Sequence, residues 1–201
     1  MTSLAQVRRF RVAVWTVIAS EALLFSGLFG LYWSYRDEYP RAFDAGVRID
    51  IAWMGGVNTF VLLTSSFAIA WAVHAMRHAR TRVVARCLVA VLLLGGVFLA
   101  LKIAEWTVHI SEGVVPGGAY YTGPWNGRGS SLFFTLYYFM TGLHALHVIA
   151  GMVLIAWVAL RVRARTLTGD DPHALELVAL YWHFVDAIWV FLWPMFYLMR
   201  A

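Results

Sequence analysis

The chain has 201 residues, of which 61% are hydrophobic and only 13% charged, where a soluble domain carries about 25% charged residues. A soluble sphere this small could not hide so much apolar surface, so lipid is the solvent for most of the chain, and disordered, collagenous and secreted disulfide-rich classes are excluded. The 16 basic and 11 acidic side chains leave a net charge of +5, and the single Cys87 excludes an internal disulfide, a zinc ribbon, an iron–sulfur cluster and c-type haem attachment.

A bilayer crossing needs about 20 apolar residues. Five runs qualify, at 12–35, 51–76, 83–110, 131–162 and 174–199. They predict an all-α, polytopic membrane bundle in a single domain, with short polar punctuation between the spans. The first run is too long for a signal-peptide core and lacks a small-residue cleavage site, so it is expected to remain as a helix. The connection 111–129 carries Tyr120, Tyr121 and Trp125, which suit an interfacial aromatic belt or a docking loop.

Arginines set the orientation. The N-terminus (Arg8, Arg9, Arg11), the second connection (Arg77, Arg80, Arg82, Arg86) and the fourth (Arg161, Arg163, Arg165) outweigh Arg36, Arg41, Arg48, Arg128 and Arg200 on the other side. Basic loops stay in the cytoplasm, which predicts a cytoplasmic N-terminus and a periplasmic C-terminus. An odd number of spans requires the same result. The positive charge therefore reports topology, and no nucleic-acid partner is expected.

Ionisable groups inside the spans cost about 2.5–3.5 kcal/mol each to insert, so each needs a reason. Glu21 sits near the centre of the first span with no basic neighbour in its own helix. It is expected to be neutral, as a functional carboxyl or a packing group. On the second span Asn58, Ser65, Gly55 and Thr59 form a small hydrogen-bonding seam. Lys102 and Glu105 are i,i+3 neighbours, with His109 on the same side. They admit a proton path, or more simply a self-neutralised pair near the interface with Lys102 snorkelling.

His144 and His147 share a face of the fourth span with Gly151. Two imidazoles so placed suit a metal held with a carboxylate of another helix, or a close-packed seam; the surrounding small residues favour the seam. Glu176, His183 and Asp186 form one stripe on the fifth span, where Asp186 is expected to orient the His183 ring. That stripe must face another helix. Cys87, in an apolar stretch, reads as a small hydrophobe.

Together these motifs carry a resemblance. The fifth span reads Tyr181-Trp182-His183-Phe184-Val185-Asp186 and the fourth Thr141-Gly142-Leu143-His144-Ala145-Leu146-His147-Val148. The first has Ser20-Glu21 followed by Phe25, and the second Asn58-Thr59. In this order the chain resembles subunit III of the haem–copper terminal oxidases, in its five-helix bacterial form, from the first span to the last.

The resemblance implies that Glu21, Asn58, Thr59, Glu105, His144, His147, Glu176, Trp182, His183 and Asp186 are the family's polar signature, none of them a redox-metal ligand. It implies a non-catalytic chain without a redox centre, with haems and copper in partner subunits and bound phospholipid. It also implies packing on subunit I beside subunit II, support of lipid and oxygen access and of proton uptake, and residence in the bacterial inner membrane. Two departures stand out: the chain lacks the two leading helices that form one arm of a lipid cleft in longer members, and Ala145 replaces a usual glycine. The Tyr181–Asp186 string favours a cytochrome c oxidase; a quinol oxidase subunit and an accessory protein of nitric oxide reductase systems share the fold. From other classes, a proton-coupled transporter would use Glu21, Glu105 and Asp186, and a metalloenzyme would use His144, His147, His183 and Asp186.

Overall fold

The computed structural model describes residues 4–114, 127–165 and 173–199, with the side chains of 4–7 and of Phe10 outside that description. All regular structure among these residues is helical: α1 (Leu4–Glu38), α2 (Pro40–Ile49), α3 (Ala52–Arg77), α4 (Thr81–Ser111), α5 (Arg128–Arg163) and α6 (His173–Trp193), followed by a π-helical turn, Pro194–Leu198. Five segments are long and apolar enough to cross a membrane, and they match the five predicted spans. In lipid this is the expected solution, because a helix satisfies its backbone polar groups internally. The aromatics Tyr120, Tyr121 and Trp125 lie outside the described residues.

α3 to α6 form an antiparallel four-helix bundle: α3 packs on α4, α4 on α5, α5 on α6, and α6 closes back on α3. α1 leans across α5 and α6. Only 6% of its most apolar stretch is buried within the chain, against 44% for α3 and 50% for α6. α1 is thus an outrigger, with most of its surface turned away from the bundle.

Two elements depart from the predicted spans. The segment after the first span is a second helix rather than punctuation. Pro40 stands at its first turn, where a missing N–H costs nothing. Its Phe43 and Val47 are buried, while Arg48 pairs with Asp44 at 3.0 Å on the outer side. α2 lies against α5 so closely that the Phe133 ring occupies the space a side chain at Gly46 would need. The fifth span, in turn, is not uniformly α-helical. Pro194 supplies no N–H to the ladder and its ring clashes with the preceding turn, so the helix widens there, closing with Met199 N donating to Pro194 O at 2.9 Å.

α1 clamps this widened turn. The Tyr32 hydroxyl donates to the Met195 carbonyl at 2.6 Å, and Arg36 Nη2 donates to the Met199 carbonyl at 2.8 Å. Edge-to-face rings extend the clamp, with Tyr32 against Phe43 and Phe196 at 5.2 Å each, and Phe133 against Phe43 at 5.3 Å.

Gly151 sets the α5–α6 spacing, because a Cβ there would lie 2.7 Å from the Trp182 ring. Gly151→Val should therefore destabilise the bundle by about 1–3 kcal/mol through overpacking. Thermal unfolding of the detergent-purified protein measures this, and an unchanged midpoint would contradict the close-approach role.

Candidate functional site

Polar side chains gather in three layers through the bundle. At the end formed by the C-termini of α4 and α6 and the N-terminus of α5 lies a closed network. Lys102 is 1% exposed and Glu105 fully buried. The ammonium donates to Glu105 Oε2 at 3.2 Å, Tyr137 Oη at 3.0 Å and Tyr197 Oη at 2.6 Å. Both phenols then donate to Glu105 Oε1, at 2.7 and 2.6 Å. All three ammonium protons are used, and each tyrosine accepts from the cation and donates to the anion. The rings of Tyr137, Trp189 and Tyr197 add aromatic faces 4.6, 5.3 and 5.3 Å from the nitrogen.

This corrects the expectation that Lys102 snorkels. Its reach to the interface is forgone because two phenols and a carboxylate on three different elements replace water more completely. Neither Tyr137 nor Tyr197 was foreseen as a partner. Nothing local in the sequence joins positions 35 and 95 residues away from Lys102.

Beside this network stands Asp50, at the α2–α3 junction, with Oδ1 3.6 Å from His109 Nε2 and both residues buried. Asp50, Glu105 and His109 are the one acid–imidazole cluster among the described residues whose ligand-type atoms all approach within 4.8 Å. The Lys102 ammonium on Glu105 opposes a cation at this place. Burial pushes the Asp50 carboxyl well above the usual carboxylate range; Lys102 pulls it down and Glu105 raises it further.

The middle layer stitches α6 to α3. Trp182 Nε1 donates to Ser65 Oγ at 3.0 Å, and Trp189 Nε1 donates to Thr59 Oγ1 at 3.1 Å. Ser65 and Thr59 pass their own protons back to α3 carbonyls, at Leu62 and Gly55. His183 Nδ1 pairs with Ser66 Oγ at 2.7 Å. The expected His183–Asp186 partnership is thereby corrected: the imidazole bonds across the seam to α3. Asp186 is buried, and neither of its oxygens makes a hydrogen bond among the described residues. The stripe does face another helix, as expected.

On the other flank, Glu21 is no lone carboxyl. Its Oε2 lies 3.0 Å from His147 Nε2, while His147 Nδ1 pairs with the Leu143 carbonyl at 2.8 Å. Both imidazole nitrogens are engaged, so the ring bridges α1 to α5. His144, one turn away, is fully buried between Phe98 and Trp189, with ring centroids at 5.5 and 5.2 Å. His147 and His183 are engaged with different helices, and no three of His144, His147, His183 and Asp186 bring ligand atoms together among the described residues, so the metal centre drawn from these four does not assemble. Asn58 is buried, with no hydrogen-bond partner for its amide among the described residues. Glu176 belongs to the third layer, at the Arg-rich end, where it pairs with Arg77 at 2.9 Å and lies 3.6 Å from His173.

One protein family matches nearly the whole chain. A family model described as cytochrome c oxidase subunit III covers residues 2–200. The chain belongs to the cytochrome c oxidase subunit III family. Among its relatives, quinol oxidase subunit 3 of Bacillus spizizenii is 28% identical over 187 residues, spanning 92% of this chain and 84% of that one. The Bacillus subtilis protein of the same name matches to the same extent. Probable quinol oxidase subunit 3 of Staphylococcus aureus is 30% identical over 189 residues, covering 94% and 88%. The protein is accordingly a multi-pass subunit III of a haem–copper oxidase, and other oxidase subunits are its partners.

Two measurements probe the buried network. Lys102→Met alone and Glu105→Gln alone should each destabilise the subunit by about 3–5 kcal/mol, since each strands a polar group in the core. Lys102→Met with Glu105→Leu should cost less than either single change; a double variant as damaged as the sum of the singles would refute the coupling. For Asp50, folding takes up a proton, because its folded pKa lies above the unfolded value of about 3.9. This group therefore favours the folded state progressively less as pH rises above ~4. Asp50→Asn should flatten the decline in thermal stability as pH rises above ~4, and the idea fails if wild type and variant decline alike.

Proposed function

We propose that this subunit III is a non-catalytic part of a proton-pumping oxidase of the bacterial inner membrane, packed on subunit I beside subunit II. In this reading its N-terminus is cytoplasmic and its C-terminus periplasmic. Haems and copper reside in the partner subunits and supply oxygen reduction there. This chain supports lipid and oxygen access and keeps proton uptake going during turnover.

The observation that carries the reading is how the mid-membrane imidazoles are used. His147 is spent on Glu21 and a backbone carbonyl, His183 on Ser66, and His144 lies between aromatic rings. Such groups hold helices together. The outward surface of α1 supports packing on a larger neighbour. Leu23 is 75% exposed, and nothing lies within 4 Å of a Cβ built at Gly27 or Gly30, so another helix could approach the backbone closely.

We take quinol as the electron donor of the complex, because the relatives matched over more than nine-tenths of this chain carry that name. The rival reading is cytochrome c, favoured by the Tyr181–Asp186 string. The tagged chain, purified from its native membrane in mild detergent, should co-elute with larger subunits and show haem bands in a reduced-minus-oxidised spectrum. Quinol should then be oxidised and reduced cytochrome c should not. The opposite donor preference would transfer the protein to the rival reading, and a colourless, partner-free preparation would overturn both.

A further inference from the structure

The last turn of α3 sets two imidazoles side by side. His74 and His78 are i,i+4 neighbours, both exposed, with ring centroids 4.5 Å apart and planes inclined by 41°. On its other side His74 lies 5.5 Å from the Trp71 ring, which itself stacks on Phe67 at 6.3 Å. The pair thus ends an aromatic ladder along the outer face of α3, and the ladder flanks the His74 ring.

Neither ring is spent on the bundle. His74 makes no hydrogen bond or ion pair among the described residues. His78 Nδ1 lies 2.9 Å from the His74 carbonyl oxygen, and since that oxygen can only accept, Nδ1 carries the proton. The neutral ring therefore keeps its lone pair on Nε2, the arrangement of a histidine prepared to ligate a metal. The backbone beneath is fixed as well. Ala79 stands at φ 55°, Arg80 N donates to Ala75 O and Ala79 N to Met76 O, each at 3.0 Å. This closure holds the turn that carries His78.

Two imidazoles one turn apart on a helix face suit a late first-row divalent ion, which binds ring nitrogens at about 2.0–2.1 Å. Nitrogens so bound stand about 3.4 Å apart in a tetrahedral site. Rings with centroids 4.5 Å apart reach that separation by turning their edges together. The helix C-terminus favours positive charge, because its last carbonyls form the negative pole of the dipole. Arg77, which lies between the two histidines in sequence, is drawn to α6 by Glu176 at 2.9 Å. The buried Asp50–Glu105–His109 cluster is the opposite case, since there the Lys102 ammonium already stands on one of the ligands. With nitrogen donors alone, the α3 pair also discriminates against Mg²⁺ and Ca²⁺, which take oxygen ligands.

We propose that His74 and His78 chelate a late first-row divalent cation at the end of α3, Cu²⁺ more tightly than Ni²⁺ or Zn²⁺, with water in the remaining positions. Two protein ligands and open positions make this an exchangeable site rather than a structural one. The site does not depend on which electron donor the oxidase uses, so the donor experiment and this one fail independently.

The test uses the intact oxidase complex, purified through a tag that contains no histidine and dialysed against radioactive Zn²⁺ with Mg²⁺ in excess. The wild-type complex should hold one more equivalent of zinc per subunit III than the H74N/H78N variant. H74N and H78N singly should each weaken this binding by roughly tenfold or more, at least what the loss of an outer-shell partner costs a metal site. H173N, which removes a part-exposed imidazole beside Glu176, should leave it unchanged. Cu²⁺ should displace the bound zinc and Ca²⁺ should not. The ratio of subunits in each preparation shows that the variants assemble; if the double variant does not, the two single variants decide. Equal zinc in wild type and double variant, unaltered affinity in either single variant, equal loss in H173N, or displacement by Ca²⁺ would each overturn the proposal.

Discussion

An ammonium group inside a membrane bundle is tolerated only if protein atoms replace its water completely, and Lys102 imposes that requirement on one whole end of this fold. Its three protons need three acceptors, and Glu105 on the same helix supplies one. Tyr137 on α5 and Tyr197 in the π turn supply the others. Tyr197 lies in the π-helical turn that follows Trp193, where Pro194 supplies no N–H to the ladder. The widened turn exposes carbonyls that Tyr32 and Arg36 of α1 then satisfy. One buried charge thus links α4, α5, the end of α6 and α1 through polar contacts that would each be costly to leave unmade.

Elsewhere the bundle follows the rules of helix association in lipid, where apolar surface gives little preference for protein over acyl chains. The α3–α6 seam is held by two indoles seven residues apart on α6, each donating to a hydroxyl of α3. Gly55, Gly95 and Gly151 let large side chains of neighbouring helices approach their backbones. Large rings packed against glycine provide close contact, and hydroxyls facing indoles provide direction. Where small residues are not matched by a large one, as at Ala85, Ala156 and Ala159, the seam stays open.

These arrangements suit a subunit whose contribution is structural and positional. The polar groups within the spans are mostly turned inward onto one another, and α1 turns a largely apolar surface outward. The two ends of the bundle differ in kind. One is sealed by the Lys102–Glu105–tyrosine network and capped by α2; the other carries Arg82, Arg163 and Arg165, which have no ion-pair partner among the described residues.

Much of this was legible from composition and spacing. Five apolar runs became five membrane-length helices, because in lipid the backbone has few other ways to satisfy its polar groups. The fifth-span stripe faced a neighbouring helix, since a carboxyl and an imidazole could not face lipid. α2 escaped notice because its polar residues dominate a short segment; the signal was Phe43 and Val47 one turn apart after Pro40, a pattern of helical period in an otherwise charged stretch. What the sequence by itself determined was the number of spans, the family motifs and which polar residues needed partners. Tertiary structure alone decided who those partners are: His147 for Glu21, Ser66 rather than Asp186 for His183, and two distant tyrosines for Lys102. Periodicity places a residue on a helix face, but the group opposite belongs to another helix, whose rotation and depth are set by packing across the whole bundle.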